Sequence, residues 1–73
     1  MFARGVEHFR AQNHDQAQHW FKLAAEKGNA NGQYMVGLMH VDGKGVPQDY
    51  AQARHWFQLG AKQGHAGAQY NLG

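Results

Sequence analysis

Cysteine, serine and threonine are all absent from this 73-residue chain. Without cysteine there is no disulfide framework, no thiolate zinc site and no thiol nucleophile. Without serine or threonine the usual hydroxyl nucleophiles are missing as well. Only five carboxylates are present, and just two of them, Asp42 and Asp49, bracket one loop. Asp49 reads better as a helix cap than as half of an acid/base pair, so an enzyme is not expected. No run of 18 or more apolar residues occurs, so no membrane-spanning helix is expected. The opening MFARGVEHFR carries charges where a signal peptide needs its apolar segment. An exported chain with its leader removed would read the same way, so the compartment stays open. The length allows one small domain, and such a chain buries only about 60% of its unfolded surface.

The formal net charge is +2, from seven Lys and Arg against five Asp and Glu. These basic residues are scattered from Arg4 to Lys62 and form no stripe, so nucleic acid is not an expected partner. Histidine, with six copies, is the unusual count. Helical zinc sites use His at i and i+4 or an HExxH motif. No two His here are four apart. Asp15 and His19 are, but Ala51 stands at the equivalent place of the later segment. The glycine loop Gly43–Gly45 lacks the G-x-x-x-x-G-K-[ST] pattern of a phosphate loop. Neither metal nor cofactor is expected.

What the chain does have is self-similarity. Gln16–Gly37 reads QAQHWFKLAAEKGNANGQYMVG, and Gln52–Gly73, offset by 36, reads QARHWFQLGAKQGHAGAQYNLG. Twelve of the 22 aligned positions are identical, both tryptophans among them. Chance does not align rare residues this way, so the chain is a repeat protein. Within each segment the period is helical: Ala17, Trp20, Phe21, Ala24 and Gly28 share one face, as do Ala53, Trp56, Phe57, Gly60 and Gly64. Asn13 and Asp49 are placed as N-caps, with Gln16 and Gln52 as capping-box partners. Gly28 and Gly64 are placed to end these helices in the left-handed conformation.

Shorter first helices are expected from the chain start to about Gln12, from Ala30 to Val41, and from Ala66 onward. Gly5, Gly37 and Gly73 recur in register inside them, where a Cβ would not fit a close helix approach. Pro47 forbids a continuous helix through the loop from Asp42 to Gln48. Two antiparallel hairpins and a further helix follow, each hairpin burying its face against the next. Trp20 and Phe21, like Trp56 and Phe57, point about 100° apart. Both pairs are expected in the core, one ring in its own hairpin and the other reaching the next. Trp56→Ala is accordingly expected to unfold the domain.

The stretch A-x-A-Q-Y-x-L-G at 66–73, the loop G-x-G-V-P-Q-D-Y at 43–50 and A-x-x-W-F at 53–57 together resemble the Sel-one-like repeat. That family is a 36-residue relative of the tetratricopeptide repeat, matching the offset here. The resemblance covers nearly the whole chain: unit one at about 1–29, incomplete, unit two at about 30–65, and the start of a third at 66–73. Unit one has a loop four residues shorter, and His40 stands where the family usually has Tyr. The members that carry a disulfide in each repeat are excluded by the lack of cysteine.

The resemblance implies an all-α, right-handed α–α solenoid that binds protein or peptide partners on its concave face. By analogy with related repeats, that face would be lined by Phe2, Val6 and Phe9, then Tyr34, Leu38 and Val41, with Tyr70 extending the row. Asn31, Gln33 and Asn71 stand nearby to satisfy a bound peptide backbone. The alternatives are a self-associating piece of a longer array, including a homodimer through uncapped terminal helices, and a small inhibitor of another protein.

Overall fold

A computed structural model describes residues 1–72, with the side chain of Leu72 left aside; the expected roles of Gly73 lie outside the described residues. Five helices follow one another: α1 (Phe2–Arg10), α2 (His14–Glu26), α3 (Ala30–Asp42), α4 (Tyr50–Lys62) and α5 (Ala66–Leu72). No strand occurs among the described residues. Each helix packs on its neighbour in the chain, so the molecule is an α–α solenoid of two hairpins with a fifth helix added in register.

The helix ends follow from local chemistry. Gly28 (φ 91°) and Gly64 (φ 85°) take the left-handed conformation expected of them. After α2 the amides of Gly28 and Asn29 reach back to the carbonyls of Ala25 and Ala24; after α4 Gly64 and His65 do the same to Ala61 and Gly60. Both ends are Schellman motifs. The turn after α1 copies this pattern with Gln12 at the left-handed place, at φ 65°.

Of the two expected caps, Asp49 is one in full, its carboxylate accepting from the Gln52 amide at 3.1 Å. The Asp49 amide donates to the His40 carbonyl, so the capping box closes on one side only. Asn13 occupies the N-cap position but its side chain makes no cap bond. The tight turn through Gln12 leaves it at ψ 73°, short of the extended backbone that Asn29 and Asp49 adopt.

Of the two Trp-Phe pairs expected in the core, only the phenylalanines are fully there. Phe21 (0% exposed) and Phe57 (4%) are the buried rings, while Trp20 and Trp56 are half-buried. The reason lies in the recurring glycines: a methyl built on Gly5 would sit 2.5 Å from the Phe21 ring, and one on Gly37 2.6 Å from the Phe57 ring. Each glycine makes room for the phenylalanine of its own hairpin rather than for a helix backbone. Phe21 joins Ala17, Ala25, Val36 and Met39 in the first cluster, and Phe57 joins Ala53 and Ala68 in the second. Trp56 does reach across the junction and packs on the first cluster. Trp20 instead lies under the Arg4 guanidinium, 5.3 Å from its ring centre.

The helix expected to be shorter, α3, has 13 residues, as many as α2 and α4. It lies between those two helices, and it buries Gly32, Gln33, Val36, Gly37 and Met39. Apolar residues on more than one side blur the periodicity that would have marked its extent.

The loop from Gly43 to Asp49 turns back on unit one. Gly45 (φ 73°) lies so close to the start of α2 that a methyl there would stand 2.5 Å from the His14 carbonyl oxygen. Both its dihedral and this approach require glycine. Lys44 places its ammonium 5.4 Å above the Phe9 ring, and Val46 packs on the first core cluster.

Candidate protein-binding surface

The seven residues of the expected row do not behave alike. Phe2, Val6 and Phe9 are half-buried and pack on the first cluster. Phe2 and Phe9 lie 5.4 and 6.3 Å from the Phe21 ring. Tyr34, Leu38 and Val41 are half-buried against the second cluster, with Tyr34 6.0 Å from Phe57. Tyr70, at 84% exposure, stands clear in solvent. The row is thus two groups, each flanking one hairpin core, followed by one free aromatic ring.

The polar residues expected beside the row are mostly engaged elsewhere. Gln33 is buried; its amide donates to the Ala25 carbonyl at 3.2 Å and its oxygen accepts from Gln63 at 2.9 Å. Gln69, 36 positions on, donates likewise to the Ala61 carbonyl at 3.1 Å. Each is a second bond to a carbonyl that already accepts the Gly28 or Gly64 amide at the helix end. Asn31 accepts from His65 Nε2 at 2.8 Å. His65 Nδ1 accepts from the Ala68 amide at 3.2 Å, which makes His65 the N-cap of α5 and leaves Nε2 as its donor. Its ring stacks on Tyr34 with centres 4.6 Å apart. His65 therefore ties α5 to α3, an N-cap role the sequence reading overlooked because histidine is not a usual capping residue.

One open hollow adjoins the row. It has a volume of about 300 Å³ and a floor of Val41, Ala53 and Phe57, with Tyr50, Arg54 and Asn71 around it. Tyr50 is 66% exposed; Gln48 bridges its hydroxyl to the Val41 carbonyl and so holds the ring at the rim. Tyr50 and Arg54 lie in the first turns of α4, after the Asp49 cap, and neither belongs to the expected row. A tyrosine and an arginine around an apolar floor are the residue types that dominate binding at protein interfaces. Asn71 also donates to the Gly67 carbonyl, so part of its hydrogen-bonding capacity is used within α5.

Among the described residues no group of three His, Asp or Glu side chains could hold a metal ion. No helix among the described residues is long and apolar enough to cross a membrane. His19 and His55 are exposed, each edge-on to its neighbouring tryptophan with ring centres 5.6 Å apart.

A family model described as Sel1 repeat matches residues 1–29 and again residues 30–65. Such repeats are in general protein–protein interaction modules, typically without catalysis. Neither the curated proteins nor the solved structures give a match to the chain. Two consecutive matches spanning most of the sequence, on hairpins that repeat the same Phe–Gly packing and the same glutamine bond, lead to one conclusion: the chain belongs to the Sel1 repeat family.

Proposed function

We propose that this chain holds a protein or peptide partner on the side formed by α1, α3 and α5, the concave side in solenoids of this kind, anchored where that side meets α4 in the hollow at Val41, Tyr50 and Arg54. The observation that carries the reading is the pairing of an apolar floor with an exposed tyrosine and arginine. Tyr70 extends the same surface, and Tyr34, Leu38 and Val41 form its base. Phe2, Val6 and Phe9 continue it toward the first unit and contribute by shape, being committed to the Phe21 core. The partner is a protein, without nucleic acid, membrane, metal or cofactor, and the role is adaptor-like rather than catalytic.

The test is capture from the native lysate by wild type and by Tyr50→Ala/Arg54→Glu. Both positions are exposed, so circular dichroism should show an unchanged fold. A protein retained by wild type and lost by the double variant supports the site. Equal retention by both removes it.

A second reading, self-association, draws on the other end of the solenoid. There Met1 is 49% exposed and shares a hollow of about 390 Å³ with Phe2 and Ala24. Light scattering showing a dimer that Met1→Lys disperses would favour this reading over an adaptor role.

A further inference from the structure

A second crevice lies on a different side of α3. It occupies about 270 Å³ where α2, α3, α4 and the loop at Val46–Pro47 converge. Val36 and His40 form its base, and Val36 is about 200° around the helix from Leu38 of the row described above. Trp56 forms an aromatic wall, and the polar lining is Gln18, Lys22, Gln52 and His40. No carboxylate lines it.

His40 gives the crevice its chemical sense. Its Nδ1 is buried and has no hydrogen-bond partner. A buried N–H without an acceptor costs more than a buried lone pair, because a strong donor then loses its water outright. A hydrogen on Nε2 leaves only a lone pair at the buried nitrogen and makes the ring a donor. The lining then combines an ammonium (Lys22), an imidazole (His40) and two amides (Gln18 and Gln52) with Trp56, Val46 and Pro47. An unopposed cation among neutral donors complements an anion, and planar amide and imidazole donors suit carboxylate oxygens. The apolar wall takes the residue next to it.

We propose that this crevice binds a carboxylate carried beside an apolar group, and that its occupant is an acidic peptide segment. The site uses none of the exposed residues tested for the proposed function, so either can fail without the other.

The experiment titrates the isotopically labelled full chain with N-acetyl-glutamyl-leucinamide, its glutaminyl counterpart and sodium acetate, and follows the Trp56 indole and His40 ring signals. Saturable shifts at these two residues with the glutamyl probe are expected. Losing the carboxylate charge in the glutaminyl probe, or the ammonium in Lys22→Met, should weaken binding about tenfold, the scale of one charge-assisted hydrogen bond. Acetate giving the same shifts at the same concentration would show that a free small acid suffices and would overturn the peptide assignment. Equal binding of both peptide probes, an unchanged affinity in Lys22→Met, shifts elsewhere, or no saturation would each overturn the site. Lys22 is exposed, so the variant should keep its fold, and its unperturbed amide spectrum checks this directly.

Discussion

The two repeat junctions carry one pair of small residues in opposite order. Between α2 and α3 the pair is Ala24 and Gly32; between α4 and α5, 36 positions on, it is Gly60 and Ala68. A methyl built on Gly32 would lie 3.0 Å from the Ala24 Cβ, and one built on Gly60 3.1 Å from the Ala68 Cβ. The α4–α5 junction has room for one methyl and not for two, whereas at Gly32 the α2 backbone also stands in the way, with Ala25 N at 2.8 Å. Gly60→Ala should gain about 1 kcal/mol of helix propensity and lose about 2 kcal/mol to overpacking, a net loss of about 1. Ala68→Gly removes a methyl that is 0% exposed. It should cost about 0.8 kcal/mol in burial and about 1 kcal/mol in propensity, close to 2 together. Independent effects would sum to about 3 kcal/mol. In Gly60→Ala/Ala68→Gly the propensity changes cancel and the methyl moves rather than disappears. The double variant should stay within about 1 kcal/mol of wild type, a coupling of about 2 kcal/mol. Thermal melts followed by circular dichroism resolve this, since 1 kcal/mol shifts Tm by about 4–8 °C in a domain of this size. A double variant that falls by the sum of the two singles would refute the one-methyl argument.

Gln12→Gly relieves a left-handed non-glycine residue and should stabilise the chain by up to about 1 kcal/mol, read as a raised urea midpoint. Phe57→Ala should cost about 3–5 kcal/mol and leave little folded protein. Trp56→Ala, from a half-buried site, should cost clearly less and keep a cooperative melt, in contrast to the unfolding expected of a core tryptophan. His65→Ala should lose about 1 kcal/mol of capping and speed hydrogen exchange at the Ala68 amide, while His65→Asn, copying Asn29, should keep that amide protected.

Much of the fold was legible because it was written twice. The aligned Trp-Phe pairs, the terminal glycines Gly28 and Gly64 and the lone Pro47 placed α2, α4 and the long loop from sequence alone. Gly5 and Gly37 announced a close approach, although only the structure shows that the approaching group is a phenylalanine ring. Both rings of each Trp-Phe pair were expected in the core, but the space opposite each glycine takes the phenylalanine and leaves the larger tryptophan half-buried beside it. The length of α3 was obscured because it packs against α2 on one side and α4 on another. Asn13 failed as a cap because cap bonding depends on ψ, which the tight turn at Gln12 sets and the residue type does not. For the binding surface, the sequence showed an apolar row but not how far each member was spent on packing. Tyr50 and Arg54 were overlooked since they sit on a second helix and meet Val41 and Asn71 only in three dimensions.

The loop that folds Lys44, Gly45 and Val46 over the first hairpin has a consequence for how the solenoid opens. In a stacked array, stability is the sum of unit terms and nearest-neighbour terms. This strap adds to the neighbour term at the junction between the two hairpins. Unit one has the shorter turn and a nine-residue first helix, yet it is held down by unit two from two directions, through α3 and through the loop. Amides of α2, covered by α1, by α3 and by the loop, should therefore be among the slowest to exchange. A substitution that frees the strap, such as Gly45→Ala, should turn one melting unit into two.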